Sequence, residues 1–263
     1  MSLVHPAAWA LWSLSAGAVI LSTNNPFYLL PVFAAAFLVQ AVHRRQGPAS
    51  HSFALLAVFG LITIITRTAF VLFAEVTAAA VLFHFLEGLR LAVLLAVFGA
   101  FNAVVDPFRI LRLAPRRFHE PALAAALAVS IAPRTIASVA QIRESQRLRG
   151  MDVRRWRHWA ALAVPVLETG MDDSISLAES MDARGHGRGR RSRYRPEHWG
   201  APSTGVALAG VCAWAVFLVF QRIGGGELQV ITDPVTWPGA TAAATAAVIL
   251  FALPALLPNG DRR

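Results

Sequence analysis

Seven apolar runs constrain this chain more than any other feature: residues 7–23, 27–42, 52–66, 69–86, 87–105, 203–221 and 240–257. A helix needs about 20 apolar residues to cross the hydrocarbon core of a bilayer. In lipid each backbone N–H and C=O must find its partner inside the chain, which is why runs of this kind read as helices. Charged residues are 15% of the 263, against about 25% in soluble domains. The expected class is therefore an all-α, polytopic membrane protein with about 5–7 transmembrane helices.

The charges that remain are unevenly placed. All 24 basic residues are Arg, and the formal net charge is +9. The absence of Lys excludes a G-x-x-x-x-G-K-[ST] phosphate loop and any Schiff-base lysine. The single cysteine, Cys212, excludes an intrachain disulfide and a cysteine-based metal site. Met1 to Pro6 has no basic n-region and no polar domain follows the first run, so no signal peptide is expected.

Residues 106–200 break the apolar pattern. They hold 17 Arg between Arg109 and Arg195 against nine Asp and Glu between Glu120 and Glu197. Three regions result: an N-terminal transmembrane region over 1–105, an arginine-rich block over 106–200, and a C-terminal transmembrane region over 201–263. Cytoplasmic loops carry an excess of Lys and Arg. With the N-terminus inside, Arg44-Arg45, the block and Arg262-Arg263 all fall on the cytoplasmic side of a cell membrane, and the turn at Asn24-Asn25-Pro26 falls outside. This parity requires that 69–86, which contains Glu75 and His84, not cross fully. It is read as an outer-side re-entrant or interfacial helix, with 87–105 as a separate span and a full crossing of 69–86 as the alternative.

Within the block, Pro107 to Leu113 reads as a short amphipathic stretch. Pro121 opens a long helix that Pro133 is expected to kink. A second helix is expected from about Trp159 to Arg184, with Leu167, Met171, Ile175, Ala178 and Met181 on its buried stripe. Each helix closes on the same heptapeptide pattern, E-S-x-x-x-R-G, at Glu144 to Gly150 and at Glu179 to Gly185, with the arginines 35 positions apart. Gly suits the left-handed residue after a helix end. A cation there is favoured by the helix dipole, by about 0.3–1 kcal/mol, and a planar guanidinium suits bidentate docking on a carboxylate.

The chain resembles the transmembrane (T) component of energy-coupling factor transporters, the vitamin and metal-ion importers of prokaryotes. The resemblance rests on His5-Pro6, Asn24-Asn25-Pro26, Glu87-Gly88-Leu89-Arg90-Leu91 with Asp106-Pro107, and above all on Gln146-Arg147-Leu148-Arg149-Gly150 and Met181-Asp182-Ala183-Arg184-Gly185. The last two are similar to the family's paired Ala-Arg-Gly signatures; Leu148 departs from the usual Ala. The resemblance implies a cytoplasmic coupling domain of long amphipathic helices over 106–200, no enzymatic activity and no cofactor of its own. It implies as partners two ATP-binding-cassette ATPases and a small substrate-binding membrane (S) component. The implied ATPase contacts are Leu148, Arg149, Gly150, Ala183, Arg184 and Gly185. Ile136, Val139, Leu167 and Met171 become candidates for packing between the coupling helices or against the S component.

A second reading is an independent membrane carrier or membrane enzyme with a polar site near Glu75, His84, Glu87 and Arg90. Ionisable groups in spans are functional by default, but these lie near expected span ends. The histidines show no H-E-x-x-H or paired spacing, so no metal is expected. Gly187-Arg188-Gly189-Arg190-Arg191 next to a membrane suits anionic headgroups, and no nucleic acid is expected.

Overall fold

The structure, a computed structural model, describes residues 4–43, 52–73, 77–150, 159–186, 188–189, 197–223, 231–232, 235–236 and 242–257. Its helices are α1 (Pro6–Ser22), α2 (Pro26–His43), α3 (Ser52–Ala69), α4 (Ala78–Val104), α5 (Pro107–Arg112), α6 (His119–Leu148), α7 (Trp159–Ala183), α8 (Ala201–Ile223) and α9 (Ala242–Ile249). Three 3-10 segments, Phe70–Phe73, Arg116–Phe118 and Leu250–Leu256, connect or extend them. Ile231–Thr232 and Val235–Thr236 form a two-residue antiparallel pair, with Ile231 opposite Thr236. Otherwise the described chain is helical.

Among the described residues, five helical stretches are long and apolar enough to cross a membrane: Pro26–His43, Ser52–Ala69, Ala78–Val104, Glu120–Leu148 and Ala201–Phe220. Pro6–Ser22 and Ala244–Leu256 are shorter apolar helices. The chain divides into two compact units. One contains residues 1–110 and 197–263, the other 111–196.

The first unit owns the core. Trp12, Ile20, Tyr28, Leu29, Phe217 and Phe251 are its largest fully buried side chains. Helix α1 packs on α8 and α4, and α2 packs on α4 and on the Leu250–Leu256 segment. The start of α1 is capped by His5, whose Nδ1 accepts from the Ala7 amide at 3.2 Å. Asn25 opens α2 ahead of Pro26: its Oδ1 accepts from the Phe27 amide at 3.0 Å, and its own amide donates to Thr23 Oγ1 at 3.0 Å. The turn expected at Asn24-Asn25-Pro26 is thus a hydrogen-bonded cap that is buried rather than loose.

The expectation for 69–86 is corrected. Residues 78–104 form one helix of 27 residues, opened by a Thr77 side-chain cap, and α3 continues into the 3-10 segment Phe70–Phe73. Glu87 and Arg90 do not mark a boundary because both are paired inside the fold. Arg90 Nη1 donates to Glu87 Oε1 at 3.3 Å, and Arg67 Nη2 lies 3.8 Å from Glu87 Oε2. Arg90 also donates through Nε to the Ile20 carbonyl at 3.0 Å and through Nη2 to the Leu21 carbonyl. A guanidinium at the carboxyl end of α1 satisfies carbonyls that the helix itself leaves open.

Three glycines set the spacing of the α3–α4 hairpin. A Cβ on Gly99 would lie 3.2 Å from the Phe53 Cα, one on Gly60 3.1 Å from the Ala92 Cα, and one on Gly88 2.9 Å from the Ile64 Cα. Small residues at such crossings let membrane helices pack closely. Elsewhere on α3, Leu55, Phe59, Leu61, Ile62 and Ile65 are exposed. We expect Gly88→Ala to destabilise the purified protein by about 1–3 kcal/mol, because backbone rather than a mobile side chain opposes the added methyl. Gly205→Ala, where a Cβ meets nothing within 4 Å, is the control. Thermal unfolding in detergent with equal midpoints for the two variants would refute the close-packing account.

One buried hydrogen bond repairs a proline. In a 3-10 segment the carbonyl of Phe251 looks to the amide three residues on, and that residue is Pro254, which has none. Trp12 Nε1 donates to this carbonyl at 3.1 Å from across the unit. Trp12→Phe keeps most of the packing and leaves the acceptor unpaired. It should lower stability by about 1–3 kcal/mol, read by the same unfolding assay. No loss would show that the carbonyl has another donor.

Candidate functional site

The two E-S-x-x-x-R-G copies lie in the 111–196 unit, at the carboxyl ends of α6 and α7, which pack on each other. The backbone repeats as closely as the sequence does. Gly150 has φ 81° and Gly185 φ 74°, the only positive-φ glycines among the described residues. The Gly150 amide donates to the Arg147 carbonyl at 3.0 Å, and the Gly185 amide to the Asp182 carbonyl at 2.8 Å. At the second copy the His186 amide also reaches back to the Met181 carbonyl at 3.0 Å, completing a Schellman cap.

The serine of the motif has a part that sequence reasoning missed. Its Oγ donates to the carbonyl three residues earlier, Ser145 to Ile142 and Ser180 to Leu177, at 2.8 Å in both copies. Its carbonyl then accepts the amide of the capping arginine, from Arg149 at 3.2 Å and from Arg184 at 3.3 Å. The spacing S-x-x-x-R is therefore the span of the last α-type hydrogen bond. Gly follows because the next residue must turn left-handed.

Each arginine is thus the capping residue, with its side chain exposed. Among the described residues neither Arg149 nor Arg184 has an ion-pair partner. Leu148 is 81% exposed, Ala183 is exposed, and nothing stands within 4 Å of where a Cβ would be on Gly150 or Gly185. The glutamates are less uniform. Glu144 lies 3.9 Å from Arg147, whereas Glu179 has no ion-pair partner among the described residues. In the second copy Asp182 pairs with Arg188 at 3.2 Å.

Two expectations for this unit are corrected. Helix α6 starts at His119 rather than Pro121 and includes Pro133, where the kink was expected. The stripe on α7 is largely exposed in this chain: Leu167 and Met171 are each 65% exposed, Ile175 and Ala178 are exposed and Met181 is half-buried, while on α6 Ile136 is exposed. Val139 is half-buried. A pair of packed helices buries only the sides turned toward each other.

Within the alternative polar site, Glu87 and Arg90 are paired. Glu87 is shared by Arg67 and Arg90. His84 stacks on Phe70 with ring centroids 6.2 Å apart, and its Nδ1 contacts the Ala80 carbonyl at 2.9 Å. Glu75 lies outside the described residues. No cluster of three or more His, Cys, Asp or Glu able to hold a metal occurs among the described residues.

The first unit holds a second pairing that sequence reasoning did not find. Arg109 makes a two-pronged contact with Glu197, Nε to Oε1 at 2.9 Å and Nη2 to Oε2 at 2.5 Å, and Nη2 also donates to the Val4 carbonyl at 3.2 Å. The partners are 88 residues apart in sequence, so no local signal links them.

The cap geometry generates a test. In Gly150→Ala and Gly185→Ala the left-handed φ costs about 1–2 kcal/mol, with no steric term. We expect faster amide exchange confined to 145–149 or 180–185, with the midpoint of global unfolding unchanged. Exchange at wild-type rates would mean the ends do not depend on glycine.

A scan against models of known protein families finds no match to this chain, and a comparison with curated proteins finds none either.

Proposed function

We propose that the chain is the transmembrane coupling subunit of an energy-coupling factor importer. In this reading it transmits ATP hydrolysis by two partner ATP-binding-cassette ATPases to a small S component that carries a vitamin or transition-metal ion. The observation that carries the reading is the pair of matching helix ends: one sequence pattern, one cap geometry and one exposed guanidinium at each. A charged-group contact of this kind suits a carboxylate in a groove of the partner. The chain has no lysine and so no phosphate loop, which leaves ATP hydrolysis to a partner.

Charge placement supports a cytoplasmic position for 106–200 in a cell membrane. If each of α1 to α4 crosses once, they make four crossings, and the block returns to the side of Arg44-Arg45. Helix α6 is itself apolar enough to span over Glu120–Leu148. A crossing there would place Arg149 and Arg184 opposite Arg44-Arg45, against the positive-inside rule. The proposed coupling function keeps α6 on the side of Arg44-Arg45, which avoids that conflict.

The carrier or enzyme alternative draws no support from the polar groups near Arg90, which are paired with one another and with the end of α1.

The test is affinity purification of the tagged full chain from its native cells, with partners identified by mass spectrometry. The wild type should bring down two equivalents of ATP-binding-cassette ATPase. Arg149→Glu or Arg184→Glu should each cut recovery about tenfold, the equivalent of about 1.4 kcal/mol, and the double variant should abolish it. Undiminished recovery with the double variant sinks the proposed docking role.

A further inference from the structure

The 111–196 segment leaves the first unit after Ile110 and returns at Glu197. The two residues that meet across these crossings are Arg109 and Glu197. Three features distinguish their contact from an ordinary surface ion pair. It is two-pronged, with one guanidinium edge matched to one carboxylate, which fixes orientation as well as distance. It is largely enclosed, with side-chain exposures of 19% and 14%. It also has a third member, because Arg109 Nη2 donates to the Val4 carbonyl at the start of α1.

The surroundings extend the tie. The His5 amide donates to Ser203 Oγ at 2.8 Å, in the first turn of α8. The His5 ring lies 5.1 Å from that of Trp199, and Trp199 Nε1 donates to Thr204 Oγ1 at 2.9 Å. Asp106 holds the other crossing, its Oδ1 accepting from the Phe108 amide at 3.0 Å. The amino ends of α1, α5 and α8 thus meet at one polar knot, and Arg109–Glu197 is its charged centre. None of these residues belongs to the proposed docking tips.

We propose that Arg109 and Glu197 are positioning residues: a clasp that joins the two crossings of the 111–196 segment and passes displacement of that segment to the amino ends of α1 and α8. The transmission half of this proposal rests on the coupling function above; the clasp half does not. A push on the segment reaches the first unit through two covalent strands. With the strands tied to each other and to Val4, they move as one and carry α1 with them. With the tie broken, each strand can yield separately.

Two measurements separate the halves. The first uses the purified full chain in lipid nanodiscs and reads amide exchange at 4–8 and 197–204. Arg109→Glu and Glu197→Arg should each raise exchange there by about tenfold, and the reciprocal double variant should return it to within about threefold of wild type. The neutral variants Arg109→Gln and Glu197→Gln are carried alongside, since they remove charge without adding repulsion and remain informative should a reversal not fold. Wild-type exchange in the single variants, or no rescue in the double variant, overturns the clasp.

The second measurement uses the chain with its co-purified ATPases and adds ATP with vanadate. In the wild type, exchange at 4–8 and 197–204 should respond to the nucleotide. In Arg109→Gln the ATPases should remain bound while that response falls about fivefold or more. An undiminished response, or loss of the ATPases together with it, overturns transmission through the clasp. If the wild type recovers no ATPase, the coupling function and the transmission half fall together, and the first measurement still decides the clasp.

Discussion

Everything in the first unit depends on satisfying backbone groups where water is not available to do it. Interior peptide groups are met by their own helices. The difficulty is at helix ends and breaks, and there the few polar side chains of an apolar sequence are spent. His5 and Thr77 cap helix starts, Thr23 and Asn25 fold a buried turn onto itself, and Arg90 covers the end of α1. Trp12 serves the carbonyl that Pro254 abandons. Ser22, Thr63 and Thr66 return their hydroxyls to carbonyls of their own helices. Among the described residues the buried side-chain atoms left without a partner are few, Trp9 Nε1 and Thr68 Oγ1 among them.

The 111–196 unit obeys a different economy. It has no buried hydrophobic residue among those described. Isolated helices are marginal in water even when long, and packing of an apolar face usually supplies the missing stability. Here α6 and α7 pack on each other, and Ile136, Val164, Leu167, Met171 and Ile175 remain exposed. An apolar face of this extent is what a surface kept for lipid or for another protein looks like. That agrees with the proposed coupling function, in which the same helices that carry the arginine tips also carry the S component.

What the sequence reveals follows from the range over which each interaction acts. Apolar runs and Gly or Pro at helix ends are local, and they read through: α1, α2 and α8, the turn at Asn24-Asn25-Pro26 and both left-handed glycines are legible in the residues themselves. The continuity of α4 is not. Glu87 and Arg90 look like the edge of a span until Arg67 and the end of α1 are brought beside them, and only the fold does that. The glycines of α3 and α4 mark close approach, but their partners Ala92, Ile64 and Phe53 come from the antiparallel register. The Arg109–Glu197 contact is the extreme case, two ordinary residues until the chain closes the distance. In the candidate site the arginines and glycines are legible as a repeat. The work of the serines needs the last turn drawn with its hydrogen bonds, and the exposure of the α7 stripe cannot be read from periodicity, which reports a face and not what covers it.

The matched backbones also expose what does not match. Over the seven motif residues the first tip carries Glu144, Arg147 and Arg149, one acid and two cations. The second carries Glu179, Asp182 and Arg184, two acids and one cation. On a helix the glutamate shares its face with the residues three and four positions on. At the first tip these are Arg147, which pairs with the glutamate, and Leu148; at the second they are Asp182, which repels it, and Ala183. Acids close to a helix carboxyl end oppose the dipole, so the second set is the less favourable one for the helix alone. Arg188 offsets Asp182 from beyond the cap, but that pair is exposed and worth little in water. If the tips dock as proposed, the two guanidiniums enter their grooves with opposite net charge around them. A groove lined with carboxylates suits the first tip; the second needs a cation beside its carboxylate. Two identical ATPases would then hold the tips unequally, and the inequality would shrink as salt screens it.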